Sequence, residues 1–290
     1  VNLRPGTRTG GDATFSGEAA DRPTSTLTPR AGTTVSDGPA PAHGQPWIIV
    51  PAFQARQTLA DVLRRIPRDL NAHTLVIDDG STDATGTIAS EMGIDLLRNP
   101  RNLGYAQTQK RGMRHALANG ATMVAVLHAD GQYPPESLPE VLTPLQEGRA
   151  DVVLGSRLLD GMARRRGMPL YKWIANRGLT ALENRCYGLT LSEYHTGMMA
   201  YSRRSLEIIP FGAVSDTFHF DGEMAMLAGR RGLRIEEISI PHVYGSERSH
   251  LKVIPYGLSV VAIALAVRLG LYDRWLDRRA TGEAMATPPG

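Results

Sequence analysis

From Trp47 onward the chain alternates short, solid apolar runs with longer stretches in which apolar residues recur every three or four positions. Short apolar runs bounded by turn formers fit buried strands, and the longer amphipathic stretches fit helices packed along one face. The pattern predicts strands at 47–50, 74–77, 94–97, 123–127 and 152–154. It predicts helices at about 57–66, 83–92, 104–119 and 136–147, with Thr82 or Asp83 opening the second, and Gly93 and Gly120 just past two of the ends. Strands alternating with helices in this way call for an α/β fold, a mainly parallel sheet flanked by helices. Further helices are expected at 171–187, which mixes Trp173, Ile174, Leu179, Leu182 and Tyr187 with charges, and from Asp221 to about Arg231.

Residues 1–45 break the pattern. They are dominated by Thr, Gly, Pro, Ser, Ala and Arg, have almost no large apolar side chain, and read as a disordered tail. The tail lacks the continuous apolar core of a secretory signal, which argues against export by that route. Near the other end, 254–271 contains an apolar run at 258–267, about ten residues, against the roughly 18–20 that a spanning helix needs. That segment reads as interfacial or buried. The expected organisation is a tail over 1–45, one catalytic domain over 46–252, a short apolar and basic helical segment over 253–280, and a disordered end over 281–290.

Composition adds modest constraints. With 42% hydrophobic residues the chain can bury a sizeable core. The net charge of +3 and pI near 9.1 suit phosphates or an acidic membrane surface, but the excess is too small to imply nucleic acid. The single cysteine, Cys186, excludes an internal disulfide, fits a reducing compartment and reads as packing. A cytoplasmic location is therefore expected, with peripheral contact at the inner face of a membrane.

The chemistry gathers at strand ends. The first strand runs into Pro51-Ala52-Phe53-Gln54, the second into Asp78-Asp79-Gly80-Ser81-Thr82-Asp83, and the fourth into His128-Ala129-Asp130-Gly131-Gln132-Tyr133-Pro134-Pro135. In open parallel sheets the ligand crevice lies outside the carboxyl ends of the strands, so these groups are candidates for holding a cation or substrate; a capped turn is the competing reading for Asp130. No Gly-x-Gly-x-x-Gly follows the first strand and no Walker-type Gly-Lys-Ser/Thr occurs, which disfavours dinucleotide dehydrogenases and P-loop ATPases.

Together with Arg98-Asn99-Pro100-Arg101-Asn102-Leu103-Gly104, Gly155-Ser156-Arg157, Thr196-Gly197-Met198 and Phe220-Asp221-Gly222-Glu223, these segments resemble family 2 glycosyltransferases over about residues 47–252. The branch they resemble most is that of the dolichol-phosphate (polyprenyl-phosphate) mannosyltransferases. The resemblance implies a single nucleotide-sugar-binding domain of the GT-A type. It also implies inverting, metal-dependent transfer of a sugar from a GDP- or UDP-linked donor, with polyprenyl phosphate as the leading acceptor.

It implies residue roles as well. Pro51, Phe53, Gln54, Asp78, Asp79 and Ala129 would line the nucleotide sugar, and Arg248 would close over the diphosphate, although the register around Tyr244 and Arg248 differs from the family's. Mg²⁺ or Mn²⁺ would be held by Asp130 and Gln132, hard oxygen ligands suited to such ions. His128 stands where the family has the first aspartate of its Asp-X-Asp motif, and imidazole there could bind Mn²⁺, contact the diphosphate or only pack. A second departure is Gln54-Ala55, where the family commonly has Asn-Glu. Arg157, Lys172 and Asn176 would bind the acceptor phosphate; a guanidinium fork matches phosphate oxygens and stays charged. The run Arg164 to Arg166 reads as a solvated basic face. Asp130, Asp221 and Glu223 are the catalytic candidates, the last two able to orient donor hydroxyls or take a proton. Two other readings stay open: transfer to a hydroxyl acceptor with Asp221 or Glu223 as base, and a catalytically weak nucleotide-sugar or glycan-binding module.

Overall fold

The computed structural model describes residues 44–241 and 253–282. Seven strands form one sheet in the order β3-β2-β1-β4-β6-β5-β7. They are β1 (Pro46–Ala52), β2 (His73–Asp78), β3 (Asp95–Arg98), β4 (Met123–Val126), β5 (Val152–Ser156), β6 (Met199–Ser202) and β7 (Ile235–Ser239). The five strands expected from the pattern are all present. β6 and β7 are additions, and β6 is the one strand that runs against the rest, wedged between β4 and β5. Its four residues, Met-Ala-Tyr-Ser, are too few to register as a period. Because β6 is antiparallel to both of its neighbours, β5 runs parallel to β4 and delivers Arg157 to the same edge as Asp130.

Strands covered on both faces need apolar side chains at every position, and β1 satisfies this. Trp47 and Ile49 join Leu75, Ile77, Val124 and Val126 in one core layer, while Ile48 and Val50 join Val76, Ala125 and Leu127 in the other. The second layer is closed by α1 (Leu59–Arg64), α2 (Thr85–Glu91) and α4 (Leu138–Gln146) through Leu59, Val62, Ala89, Leu138, Val141 and Leu142. The first layer is closed by α3 (Tyr105–Ala118), α6 (Arg203–Ile208) and α7 (Phe220–Arg230) through Met113, Ala116, Leu206, Phe220 and Met224.

Beyond the sheet lie α5 (Leu170–Tyr187), α8 (Val253–Arg268) and α9 (Leu271–Ala280). The 258–267 run proves two-sided: Val260, Ile263, Ala264 and Val267 are buried, whereas Leu258 and Leu265 are exposed. Tyr272, Trp275 and Leu276 of α9 enter the same core as the sheet. That packing makes 253–280 structurally continuous with the catalytic core. Among the described residues no single helix is long and apolar enough to cross a membrane; α8 and α9 meet at 95°.

Candidate active site

The carboxyl ends of β1, β2, β4 and β5 open on one edge, and the expected residues collect there. At the end of β1, Phe53 is about half exposed and Gln54 adopts a left-handed φ of 52°. Gln54 is tied to the next loop: its N–H donates to Ser81 Oγ at 3.0 Å and its Nε2 to Thr82 Oγ1 at 2.8 Å. Pro51 and Ala52 lie within β1, Ala52 buried. Asp83, one residue before the N-cap Ala84, accepts from the first helical N–H of α2, that of Thr85, at 2.9 Å.

Asp78 and Asp79 are both buried and internally bonded. Asp78 accepts from the N–H of Ser81 at 2.9 Å and faces Arg98 Nε at 3.3 Å. Asp79 accepts from Asn99 Nδ2 at 2.7 Å, the N–H of Leu103 at 2.8 Å and the N–H of Gly104 at 3.0 Å. Three donors on one carboxylate hold the 99–104 loop against the sheet. The Arg-Asn-Pro-Arg-Asn-Leu-Gly segment is thus shaped by Asp79, which explains why the two motifs occur together.

At the end of β4, Asp130 is exposed and its Oδ1 accepts from the N–H of Gln132 at 3.0 Å. Its other carboxylate oxygen accepts no hydrogen bond among the described residues, and Ala129 beside it is buried. A free hard oxygen at the sheet mouth, with Gln132 two residues on, fits Mg²⁺ or Mn²⁺.

His128 turns inward. Its ring stacks on Tyr105 with centroids 5.4 Å apart and planes 3° from parallel, and its Nε2 lies 3.2 Å from the Tyr105 hydroxyl. Tyr105 donates its only proton to Asp221 in a short contact, and burial holds that phenol well above its ordinary value. The Tyr105 oxygen can then only accept from His128, which puts the imidazole proton on Nε2 and leaves Nδ1 with the lone pair. A Cβ at position 197 would lie 2.7 Å from His128 Nε2 and 3.2 Å from Tyr133 Cε2, so the glycine of Thr196-Gly197-Met198 is what admits the imidazole.

Asp221 sits at the start of α7, only 5% exposed, with Gln109 Nε2 at 3.4 Å as a second donor. Burial pushes its carboxyl up to about 6, with the Tyr105 hydrogen bond, the electrostatic pull of the nearby His128 ring and Gln109 opposing the rise. Glu223 does not join it. Two residues on, the helix turns it into the core, fully buried, where Ser215 and Tyr272 donate to its two oxygens. The pairing of Asp221 with Glu223 as catalytic candidates therefore separates: Asp221 faces the site, and Glu223 bridges α7 to α9.

Beyond β5, Arg157 is clasped by the buried Glu193. The Arg157 N–H donates to Oε2 at 2.9 Å, its Nε to Oε1 at 2.9 Å, and its terminal amino group to the His195 carbonyl at 2.6 Å. Asn176 Nδ2 donates to the same Glu193 Oε1 at 2.9 Å. Burial alone would raise the Glu193 carboxyl, but the charge and hydrogen bonds of Arg157 outweigh it and hold it below its ordinary value. Two of the three expected phosphate ligands thus converge on a residue the sequence reading passed over. Lys172 lies one turn before Asn176 on α5 and is half-buried. The basic run does not converge with them: Arg164, Arg165 and Arg166 stand exposed, Arg164 on the Met168 carbonyl and Arg166 on Asp160. Arg248, like Tyr244, lies outside the described residues.

Tyr105, Gln109 and Glu193 are the residues here that pattern reading missed. Tyr105 directly follows the Arg-Asn-Pro-Arg-Asn-Leu-Gly segment and Glu193 stands three residues before Thr196-Gly197-Met198, so extending either motif would have reached them.

Comparison with known proteins identifies the family and the fold. Residues 47–209 match the model for glycosyl transferase family 2. The undecaprenyl-phosphate mannosyltransferase of Micrococcus luteus is 29% identical over 80% of this chain and 96% of its own length. The polyprenol monophosphomannose synthase of Mycolicibacterium smegmatis is 26% identical over 67% of this chain and 75% of its own. Among solved structures, glucosyl-3-phosphoglycerate synthase from Mycobacterium tuberculosis in complex with phosphoglyceric acid superposes with a TM-score of 0.61 at 20% identity, covering 78% of this chain and 80% of that one. The same synthase has been crystallised with Mn²⁺, UDP and glucosyl-3-phosphoglycerate (TM-score 0.57, 19% identity). With more than half its length matched and its strand-end motifs brought to one sheet edge, the chain belongs to glycosyl transferase family 2 and has the GT-A fold.

Proposed function

We propose that this glycosyltransferase moves a hexose, with inversion, from a nucleoside-diphosphate sugar to a polyprenyl phosphate. The observation that carries the acceptor is the coincidence of a phosphate cradle with an apolar shelf. In the first turns of α5, Lys172 stands among Leu170, Tyr171 and Ile174, which are 52%, 61% and 56% exposed. The helix packed against it, α8, exposes Ile254 and Leu258. A phosphate on a long hydrocarbon chain asks for such a pairing of charge and uncovered apolar surface, whereas a small polar acceptor gains nothing from the shelf. The same surface would rest against the inner face of a membrane. The names of the two mannosyltransferase relatives support this acceptor.

Glu193 divides the labour within the cradle. It offsets the charge of Arg157 while fixing the orientation of the guanidinium, so Arg157 supplies geometry and Lys172 supplies the net positive charge that a phosphate requires. On the donor side, Asp130 and Gln132, with His128 Nδ1 as a further candidate, would hold Mg²⁺ or Mn²⁺. A cation held there would supply positive charge against the departing diphosphate. A phosphate acceptor is ionised at neutral pH and needs no strong base, which leaves Asp221 to orient donor hydroxyls. A hydroxyl acceptor is favoured by one observation only, the carboxyl of Asp221 raised to about 6, where it could serve as a base.

The test uses Lys172, because removing Arg157 would strand the buried Glu193 and confound binding with folding. Lys172→Ala should raise the KM for polyprenyl phosphate about tenfold or more, the loss of one charged phosphate contact, while the KM for the nucleotide sugar moves less than about twofold. An unchanged acceptor KM, or a wild-type enzyme that ignores polyprenyl phosphate and glycosylates a free hydroxyl, would remove the lipid-carrier reading.

A further inference from the structure

Behind the acceptor cradle lies a second group of side chains that glycosyl transfer does not use. Glu183 projects from α5, His195 from the loop before β6, and His219 from the residue preceding α7. One ligand-type atom from each lies within 4.8 Å of the other two, the one such grouping of three His, Cys, Asp or Glu among the described residues. His195 Nε2 is 3.0 Å from Glu183 Oε2, and His219 Nε2 is 3.5 Å from Glu183 Oε1.

The group is withdrawn from water and poorly provided with partners. Glu183 is 0% and His219 1% exposed. Apart from one another, neither carboxylate oxygen of Glu183, neither ring nitrogen of His219, nor His195 Nε2 has a hydrogen-bond partner among the described residues. His195 and Glu183 can satisfy each other, but His219 keeps both ring nitrogens without a hydrogen bond, and each unmet buried group costs about 1–3 kcal/mol. The orientation is specific as well. His195 Nδ1 lies 2.9 Å from the hydroxyl of Tyr256 on α8. With Nδ1 donating to that phenol, the Nε2 lone pair faces a carboxylate oxygen, an arrangement that a cation between them makes favourable; with the other tautomer, Nε2–H donates to Glu183. A second-layer partner on the far nitrogen is also how metal-binding imidazoles are held. His219 is seated closely: a Cβ at Gly222 would lie 2.8 Å from its Nδ1 and closer still to Cε1.

We propose that Glu183, His195 and His219 form a zinc site, distinct from the site of the donor cation. Two imidazoles and one carboxylate suit Zn²⁺ far better than Mg²⁺, which takes oxygen ligands and keeps its waters. Zinc bonds of about 2.0–2.1 Å set tetrahedral ligands roughly 3.4 Å apart, and both histidines already stand 3.0 and 3.5 Å from a Glu183 oxygen, so small side-chain adjustments would close the site. The donor cation belongs at the open end of β4, where Asp130 is exposed; the triad is buried and bordered by Tyr256. The ion would join α5, α7 and the 195 loop. Because the His195 carbonyl accepts from Arg157, it would also fix the cradle's guanidinium.

The experiment uses the full chain without a histidine tag, stripped with chelator and titrated with Zn²⁺ and separately with Co²⁺. One Zn²⁺ per chain should survive desalting, raise the melting temperature by several degrees, and give way to Co²⁺ with the strong visible absorption of a tetrahedral ion. Glu183→Gln, and Gly222→Ala acting only by displacing His219, should each abolish that stoichiometric ion, whereas Asp130→Asn should keep it. A wild-type chain that retains no Zn²⁺ and shows no cobalt spectrum overturns the proposal, and the triad then holds a proton instead. Loss of the ion in Asp130→Asn overturns it too, by identifying the bound metal as the donor cation. Neither result bears on the polyprenyl-phosphate reading, which the acceptor KM decides separately.

Discussion

Asp221→Asn should make the protein more stable as pH rises, relative to wild type, while impairing transfer. The carboxyl of Asp221 is raised by burial from an ordinary value near 3.8 to about 6. A raised carboxyl means that folding favours the protonated form: the stability it lends is whole below about pH 4 and is lost as pH climbs through 6. Above that range the buried carboxylate weighs on the fold by about 3 kcal/mol, at 1.36 kcal/mol for each pH unit of displacement. Asparagine keeps the shape, and its oxygen still accepts from Tyr105, but it does not titrate. Any fixed cost of fitting the amide cancels when the two proteins are compared at two pH values, as do the other carboxylates. The stability difference should therefore move in favour of the Asp221→Asn protein by about 1.4 kcal/mol between pH 5 and pH 8, and by about 3 kcal/mol over the whole window. Paired urea melts at pH 5 and pH 8 measure it directly, and thermal melts should show a relative rise of about 3–6 °C. A difference that does not change with pH would mean the Asp221 carboxyl is not raised, and one that moves the other way would mean it is depressed; either refutes the electrostatics assigned to this end of the site.

Three further outcomes follow from the geometry. Asp130→Asn should lower transfer by at least about a hundredfold with little change in melting temperature, because the lost charge is exposed at a strand end; near-normal turnover would remove Asp130 from the metal site. Glu223→Ala should destabilise by about 3 kcal/mol in urea melts, since Ser215 and Tyr272 lose their acceptor inside the core, and an activity loss without any stability loss would restore Glu223 as a site residue. Asp79→Ala should cost about 2–4 kcal/mol and expose the 99–104 loop to proteolysis, because three donors lose one acceptor; a loop that stays resistant would show that Asp79 is not what holds it.

The sequence by itself determined the fold class, five strands of the sheet and the edge on which the site lies. Runs such as Trp47-Ile48-Ile49-Val50 can be stable only with both faces covered, and turn residues directly after them mark the carboxyl ends. Asp78, Asp79, Asp130 and Arg157 were legible because each ends a strand or follows one within a few residues, where position along the chain nearly fixes position in space. Tertiary structure alone decided what those carboxylates do. Asp79 and Glu223 look like ligands in the sequence and prove to be fully bonded inside the protein, because the donors that claim them lie at distances along the chain that no local pattern encodes. Contacts across long separations also made the Tyr105–Asp221 pair, the Glu193 clasp on Arg157 and the grouping of Glu183, His195 and His219. The antiparallel β6 is the joint that makes the last two possible. It is invisible as a period in four residues, yet it returns the chain between β4 and β5, so that the loop entering it lies beside Arg157 and carries Glu193 and His195 to the site.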